Sequence, residues 1–348
     1  MKGLYIHIPF CRRKCLYCDF YSVALEDGLA QSYTAAVIRN IKAYGGEFDT
    51  VYFGGGTPIL LAPYLGEMLR AADIAEGAEI TAEANPCEMT DEALETLLKA
   101  GVNRISVGVQ SLCDNELHSL GRRHDSDTAE KAILRAKAAG FADISADLML
   151  GVPQQTAESL SETLSRMTAL PVTHISAYML KVEQNTPFGR NTPMLPDEDE
   201  TADMYIQTVQ ALAKHGFHQY EISNFAKDGC ECRHNLKYWH AEKYLGIGPA
   251  AHSFLDGRRF GVARDLDAFL AAERQAEQVT EEAPDPVEER IMLGLRLSEG
   301  IPETLWRPRG SALKRIPKQY YRIDNGRLSL TAEGFLLSNE IISILLSV

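Results

Sequence analysis

The chain lacks a run of about 18 apolar residues, so no membrane-spanning helix is expected. It has no internal repeat and no low-complexity tract, which excludes solenoids and arrays. Cationic residues are scarce: 35 Lys and Arg face 48 Asp and Glu, a formal charge of −13. That balance argues against a nucleic-acid or an anionic-membrane surface as the main partner, while leaving room for a local basic pocket. Evenly paired cysteines are missing too. There are seven: Cys11, Cys15, Cys18, Cys87, Cys113, Cys230 and Cys232. The opening stretch is broken by His7 and Pro9 and has no signal-peptide pattern. No disulfide framework is expected, and the chain is expected to be cytoplasmic. The apolar end segment is interrupted by Asn339 and Glu340, which fits a docked amphipathic helix.

What is present is 348 residues with 45% hydrophobic content, enough for a large core. Six β-rich runs recur: Leu4–Ile8, Thr50–Phe53, Glu79–Glu83, Arg104–Val109, Ile144–Leu150 and His174–Met179. Helical patterns lie between them. One opens at Asp91 and closes at Gly101. Another starts at Asp127 with Glu130 three residues on, and stops at Gly140. A third runs from Thr156 to Leu170. This alternation predicts an α/β fold with parallel βα units. A further strand is expected at Gln219–Ile222. Asp285-Pro286-Val287-Glu288 reads as a helix start, and Arg327–Leu330 as a strand entering one final helix. The expected organisation is a barrel over 1–265, including an extension over 216–265. A linker over 266–284 and a small winged-helix-like α+β domain over 285–348 follow.

Polar and glycine-rich residues follow each strand: the cysteine run, Gly54-Gly55-Gly56-Thr57-Pro58, Glu83 with Asn85, Gln110, Asp147 and Tyr178. Sites after all six strands favour a barrel, which gathers its chemistry at the carboxyl ends of its strands. Cys11, Cys15 and Cys18 form a C-x3-C-x2-C spacing within eight residues. Three thiolates so close can hold one metal centre. Zinc would need a fourth ligand, such as His7, Cys87 or Cys113. An iron–sulfur cluster held by three cysteines leaves one iron open to an outside ligand. Cys230-x-Cys232-x-His234 is a weaker metal candidate. If the segment around His234 is helical, His234 and Tyr238 share one face, and Asn235 and Trp239 another.

The C-x3-C-x2-C run with an aromatic, Tyr17, before the last cysteine resembles the radical S-adenosylmethionine (SAM) superfamily. The resemblance implies a partial (β/α)6 barrel. It also implies a [4Fe–4S] cluster on Cys11, Cys15 and Cys18 whose open iron is chelated by SAM. An electron donor for the cluster is implied as well, since the cluster reductively cleaves SAM. By the same resemblance, SAM contacts fall on Tyr5, Tyr17, Gly55, Gly56, Thr57, Glu83, Gln110, Arg122, Asp147, Met179 and His252. The segments Tyr5–Cys11, Glu83-Ala84-Asn85-Pro86, Gly108–Ser111 and Asp147–Pro153 are similar to the oxygen-independent coproporphyrinogen oxidase group. True oxidases of that group carry another cysteine two residues after the third; here Phe20 stands there. Cys18-Asp19-Phe20 and His234-Asn235-Leu236-Lys237-Tyr238-Trp239 instead resemble the heme-chaperone branch. That branch implies heme bound through His234, Asn235, Tyr238 and Trp239, and delivery to client hemoproteins. No residue is assigned a catalytic role. Oxidative decarboxylation of coproporphyrinogen, or another radical SAM reaction, is the alternative.

Overall fold

A computed structural model describes residues 1–347; Val348, the last residue of the expected small domain, lies outside the described residues. Six parallel strands form its centre: β1 (Lys2–Ile8), β2 (Glu47–Gly55), β3 (Asp73–Ala84), β4 (Arg104–Gln110), β5 (Asp143–Leu150) and β6 (His174–Met179). They pair in sequence order, each with the next. Their side chains alternate between two faces. Leu4, Ile6, Ile8, Val51, Phe53, Ile105, Val107, Ile144, Ala146, Leu148 and Ile175 are buried in the shared apolar core. The alternate positions are polar: Tyr5 and His7, Thr50 and Tyr52, Thr81 and Glu83, Arg104 and Ser106, Ser145 and Asp147, His174 and Ser176. One face packs under the crossover helices. The other forms a polar lumen, so the barrel interior is a place for chemistry.

The helix stops follow the sequence signals. Thr90 accepts a hydrogen bond from the Ala93 amide to start Asp91–Ala100, and Gly101 ends it at φ 102°. Thr156 and Ser159 form a reciprocal capping box before Ala157–Ala169. One start is corrected. The Ser126–Ala139 helix is capped by Asp125, which accepts from the Thr128 amide, not by Asp127. Asp127 lies inside the first turn and pairs with Lys131 instead.

The sheet stays open and grows at both ends. Beyond β6 come β7 (His218–Gln219) and β8 (Asn224–Ala226), so the run expected over Gln219–Ile222 is a strand only at its start. Beyond β1 come β9 (Tyr244–Ile247), parallel to it, then antiparallel β10 (His252–Leu255), β11 (Arg258–Gly261) and β12 (Gln278–Glu282). The expected linker over 266–284 is therefore structured. It carries the helix Leu266–Ala271, capped by Asp265, and the edge strand β12. Its polar composition reflects an exposed edge, which charged side chains protect from pairing. After it, Asp285 caps Pro286–Gly294 by accepting from the Val287 and Glu288 amides. The antiparallel strands β13 (Ile301–Pro302), β14 (Tyr321–Asp324) and β15 (Arg327–Leu330) form a separate small sheet. The single final helix is two, Ala332–Leu336 and Ser338–Leu346, and Ile341, Ile342 and Leu345 are buried. This terminal unit has its own sheet but no separate core: Leu305, Leu328, Phe335 and Ile341 belong to the same apolar cluster as the barrel. Among the described residues no helix is long and apolar enough to cross a membrane.

Candidate functional site

The cysteines sit on the loop that leaves β1. The Val23 amide donates to Pro9 and the Cys11 amide donates back to Val23, which closes the loop on itself. Leu16 and Tyr17 pack against Leu120, Met149, Val152 and Phe188, and the Leu16 amide donates to the Leu120 carbonyl. Apolar anchors thus hold the middle of the loop while the three thiols remain half-buried. A ring of polar contacts ties the loop to the strand ends. Cys11 Sγ lies 3.5 Å from Thr57 Oγ1, Asn85 Nδ2 donates to that hydroxyl at 2.9 Å, and Arg122 Nη2 donates to Asn85 Oδ1 at 2.8 Å. Arg122 Nη1 completes the ring 3.3 Å from Cys15 Sγ. Burial raises the thiol pKa of Cys11, and raises that of Cys18 to about 11, against the partial relief of nearby donors. Such thiols are stabilised as thiolates by a bound cation.

A tetrahedral zinc site would need a fourth ligand beside the three cysteines. His7 is engaged elsewhere: Nδ1 lies 3.1 Å from the Tyr5 hydroxyl and Nε2 2.9 Å from the Tyr21 carbonyl. A [4Fe–4S] cluster can take three thiolates and leave one iron open to an outside ligand. The donor set fits that group. Around it, Arg122 Nε is buried without a partner among the described residues, which leaves a donor for a ligand. Gln110 ends β4 at φ 72°, an unusual backbone for a residue with a side chain.

Two carboxylates face each other across the lumen. Glu83 accepts from the Tyr52 hydroxyl at 2.9 Å and from the Gly55 amide at 3.1 Å. Asp147 accepts from Ser106 at 3.2 Å. Burial, then the charge of Asp147, pushes Glu83 up to about 7; burial pushes Asp147 up to about 6. The glycine run has a reason beyond ligand approach. A Cβ on Gly55 would meet the His7 ring at 2.6 Å, and one on Gly56 the Phe10 carbonyl at 2.6 Å. These glycines let the β1 loop lie directly on the end of β2. At the rim, Phe20 is 66% exposed, Tyr178 43% and Met179 41%. His252 is exposed at the start of β10, so it is no core histidine.

The His234 motif lies elsewhere. Its helix, Arg233–Trp239, lies against Gly3, Asp49, Thr50 and Glu79 near the amino-terminal ends of β1 to β3, whereas the cysteines follow the carboxyl end of β1. The Arg233 and His234 amides donate to the Glu79 carboxylate, both at 3.0 Å, and Lys237 pairs with Asp49 and Glu242. A Cβ on Gly3 would meet both Lys237 and His234, which shows how closely the helix crosses β1. His234 is 0% exposed. Its Nδ1 lies 2.8 Å from Thr50 Oγ1 and its Nε2 2.7 Å from the Tyr238 hydroxyl. The shared face of His234 and Tyr238 is thus as expected, but it is turned inward. Neither ring nitrogen is free for an iron in this conformation, and burial, with Lys237 and Arg104, lowers the His234 pKa to about 3. Asn235 and Trp239 are half-buried on the same helix. Cys230, Cys232 and His234 do not gather as a metal set; Cys232 Sγ instead faces Glu79.

The structure therefore brings Tyr17, Gly55, Gly56, Thr57, Glu83, Gln110, Arg122 and Asp147 to the cysteine end, and leaves the four heme-motif residues at the other. Tyr5 lies between, its ring near-parallel to Tyr52 at 6.2 Å. Sequence reasoning missed Asn85 as a hub, and Tyr52, Ser106 and Ser176 as lumen residues. The polar alternation along β2 to β6 was the available signal.

The chain is similar to known proteins at several levels. The model of the radical SAM superfamily matches residues 5–167. Heme chaperone HemW of Escherichia coli is 39% identical over 316 residues, covering 86% of this chain and 84% of that protein. Heme chaperone HemW of Lactococcus lactis is 34% identical over 365 residues, covering 98% of this chain and 96% of that one. The solved structure of coproporphyrinogen III oxidase (HemN) from Escherichia coli superposes with a TM-score of 0.84 over 99% of this chain and 89% of that chain. Its 21% identity speaks for the fold alone. Likeness sustained along nearly the whole of both chains, with the cysteine loop set on a partial parallel barrel, makes this chain a member of the radical SAM superfamily and, within it, of the HemW family.

Proposed function

We propose that the chain binds a [4Fe–4S] cluster through Cys11, Cys15 and Cys18, SAM beside it, and heme, which it delivers to hemoproteins. The observation that carries this reading is the near-full-length similarity to proteins named heme chaperones, joined to a cysteine loop whose donors suit a cluster. When bound, the cluster supplies one electron for the reductive cleavage of SAM, and an electron-donor protein must replace it. Thr57, Asn85 and Arg122 hold the loop in register with the strand ends. Glu83 and Asp147 offer buried acceptors for the hydroxyl and amino groups of SAM. Tyr17, Gly55, Gly56, Gln110, Met179 and His252 complete the lining, with Tyr5 behind it.

Phe20 on the cysteine loop and Tyr178 at the end of β6 are exposed aromatic side chains on which a porphyrin can stack. Phe20 also argues against the alternative reaction, because the oxidases that this chain resembles carry a cysteine at that position. The test is an anaerobic heme titration of the cluster-loaded protein, followed by its Soret absorbance. Saturable one-to-one binding, and transfer of that heme to an apo-hemoprotein, are the expected results. An absence of saturable binding, or turnover of coproporphyrinogen with SAM and reductant, would overturn the reading.

A further inference from the structure

The motif His234–Trp239 is the feature that the site at the cysteine end does not absorb. Its imidazole is buried, with both nitrogens bonded, at the far mouth of the barrel. What it touches next is Tyr52. The two rings are near-parallel, 28° apart, with centroids at 5.3 Å. Tyr52 is the residue whose hydroxyl donates to Glu83 Oε1 at 2.9 Å. Glu83 Oε2 in turn accepts from the Gly55 amide of the glycine run. There is no slack in this stack: a Cβ on Gly54 would meet Tyr5 and Tyr52 at 3.0 Å and Glu83 at 3.1 Å. A rigid column thus runs from the helix Arg233–Trp239 through His234 and Tyr52 to the carboxylate.

We propose that His234 is a positioning residue for SAM binding: it fixes the Tyr52 ring, which sets the Glu83 carboxylate, and it is not the iron ligand for heme. The inference rests on the reading of Glu83 as a SAM contact. The helix Arg233–Trp239 is pinned independently of any ligand, by Glu79 at its amino end and by the Lys237 pairs. Tyr238 and Thr50 fix the imidazole plane, and ring packing passes that plane to Tyr52. A heme iron would have to displace the hydrogen-bond partner of one ring nitrogen, Tyr238 at Nε2 or Thr50 at Nδ1, and the helix would have to leave the barrel mouth.

The experiment measures SAM affinity by equilibrium dialysis on cluster-loaded, folded protein, with heme titration in parallel. The variants are Glu83→Gln, Tyr52→Phe, His234→Ala and the pair Tyr52→Phe/His234→Ala. Tyr52→Phe keeps the ring and its packing and loses only the hydroxyl. It is expected to weaken SAM about tenfold, as the loss of a hydrogen bond to a charged group does. His234→Ala is expected to weaken SAM by a similar factor with heme uptake unchanged. The double variant is expected to be no weaker than Tyr52→Phe alone, because both changes cut the same line. A merely structural histidine would give additive losses instead. Additive losses, or His234→Ala with full SAM affinity and lost heme binding, would overturn the proposal. Wild-type SAM affinity in Glu83→Gln would locate the failure in the underlying reading of Glu83. If His234→Ala does not fold, weak SAM binding with intact heme uptake in Tyr52→Phe supports the line, and normal SAM binding in that variant refutes it.

Discussion

Arg122 shows what a single side chain does at this site. Its guanidinium reaches Cys15, Asn85 and the Gly108 carbonyl at once, which only a planar fork of donors can do. Gly108 makes room for it, since a Cβ there would sit 3.3 Å from Arg122 Nη2. Arg122→Ala is expected to weaken SAM binding about tenfold or more and to lower the iron retained per chain. Iron analysis beside SAM dialysis checks this; full iron content with unchanged affinity would refute it. At this scale the cysteine loop was legible from its spacing alone, whereas Glu83 and Asp147 stand out as SAM contacts only through the family resemblance: Asp147 lies inside β5, and its place in the lumen comes from the pairing of β5 with β4 and β6. The inward turn of His234 was not. A helix pattern gives which residues share a face, and only the tertiary fold decides whether that face meets solvent or the lumen.

Among the elements, caps and crossovers follow local chemistry, and the strand pattern placed β1 to β6 within three residues except at the start of β3, which begins six residues earlier, at Asp73. The departures have local causes. Both Asp125 and Asp127 read as helix starters, and the hydrogen bond to the Thr128 amide selects Asp125. Asp125→Ala is therefore expected to cost about 1 kcal/mol of stability. Asp127→Ala, which breaks only an exposed pair with Lys131, is expected to cost about 0.3 kcal/mol. Urea midpoints of the two variants check the order, and a larger loss for Asp127→Ala would return the cap to that residue. The segment 266–284 escaped reading because an exposed edge strand shares the polar composition of a linker. β12 exists through its pairing with β11, which no local window contains.

The whole molecule carries a set of buried titrating groups whose opposing effects define a pH response. Burial raises Glu83 to about 7, Asp147 to about 6 and Glu221 to about 7. Glu221 sits where the barrel meets the terminal unit, bridged to Leu297. A carboxylate raised on folding is protonated in the native state and ionised in the unfolded one between its two pKa values. Its stabilising effect is complete below the unfolded value and is lost as pH rises through the folded one. Burial also lowers His234 to about 3 and His124 to about 4, and lowers His7 and His174. Those histidines act in the opposite sense: they stabilise above the unfolded value of about 6.5, and that gain is lost as pH falls toward the folded value. Between pH 5 and 6 the two sets oppose each other, so stability changes little. Above about 6.5 the histidines are neutral in both states, and only the carboxylates still respond. The cluster-free protein, kept reduced, is therefore expected to be most stable near pH 6 and to lose stability toward pH 8. Glu221→Gln, far from the cysteines, is expected to flatten that fall by removing one of its sources. Denaturant midpoints across the range decide it, because a midpoint that climbs from pH 6 to 8 in the native sequence would mean that the lumen and seam carboxylates are already ionised in the folded chain.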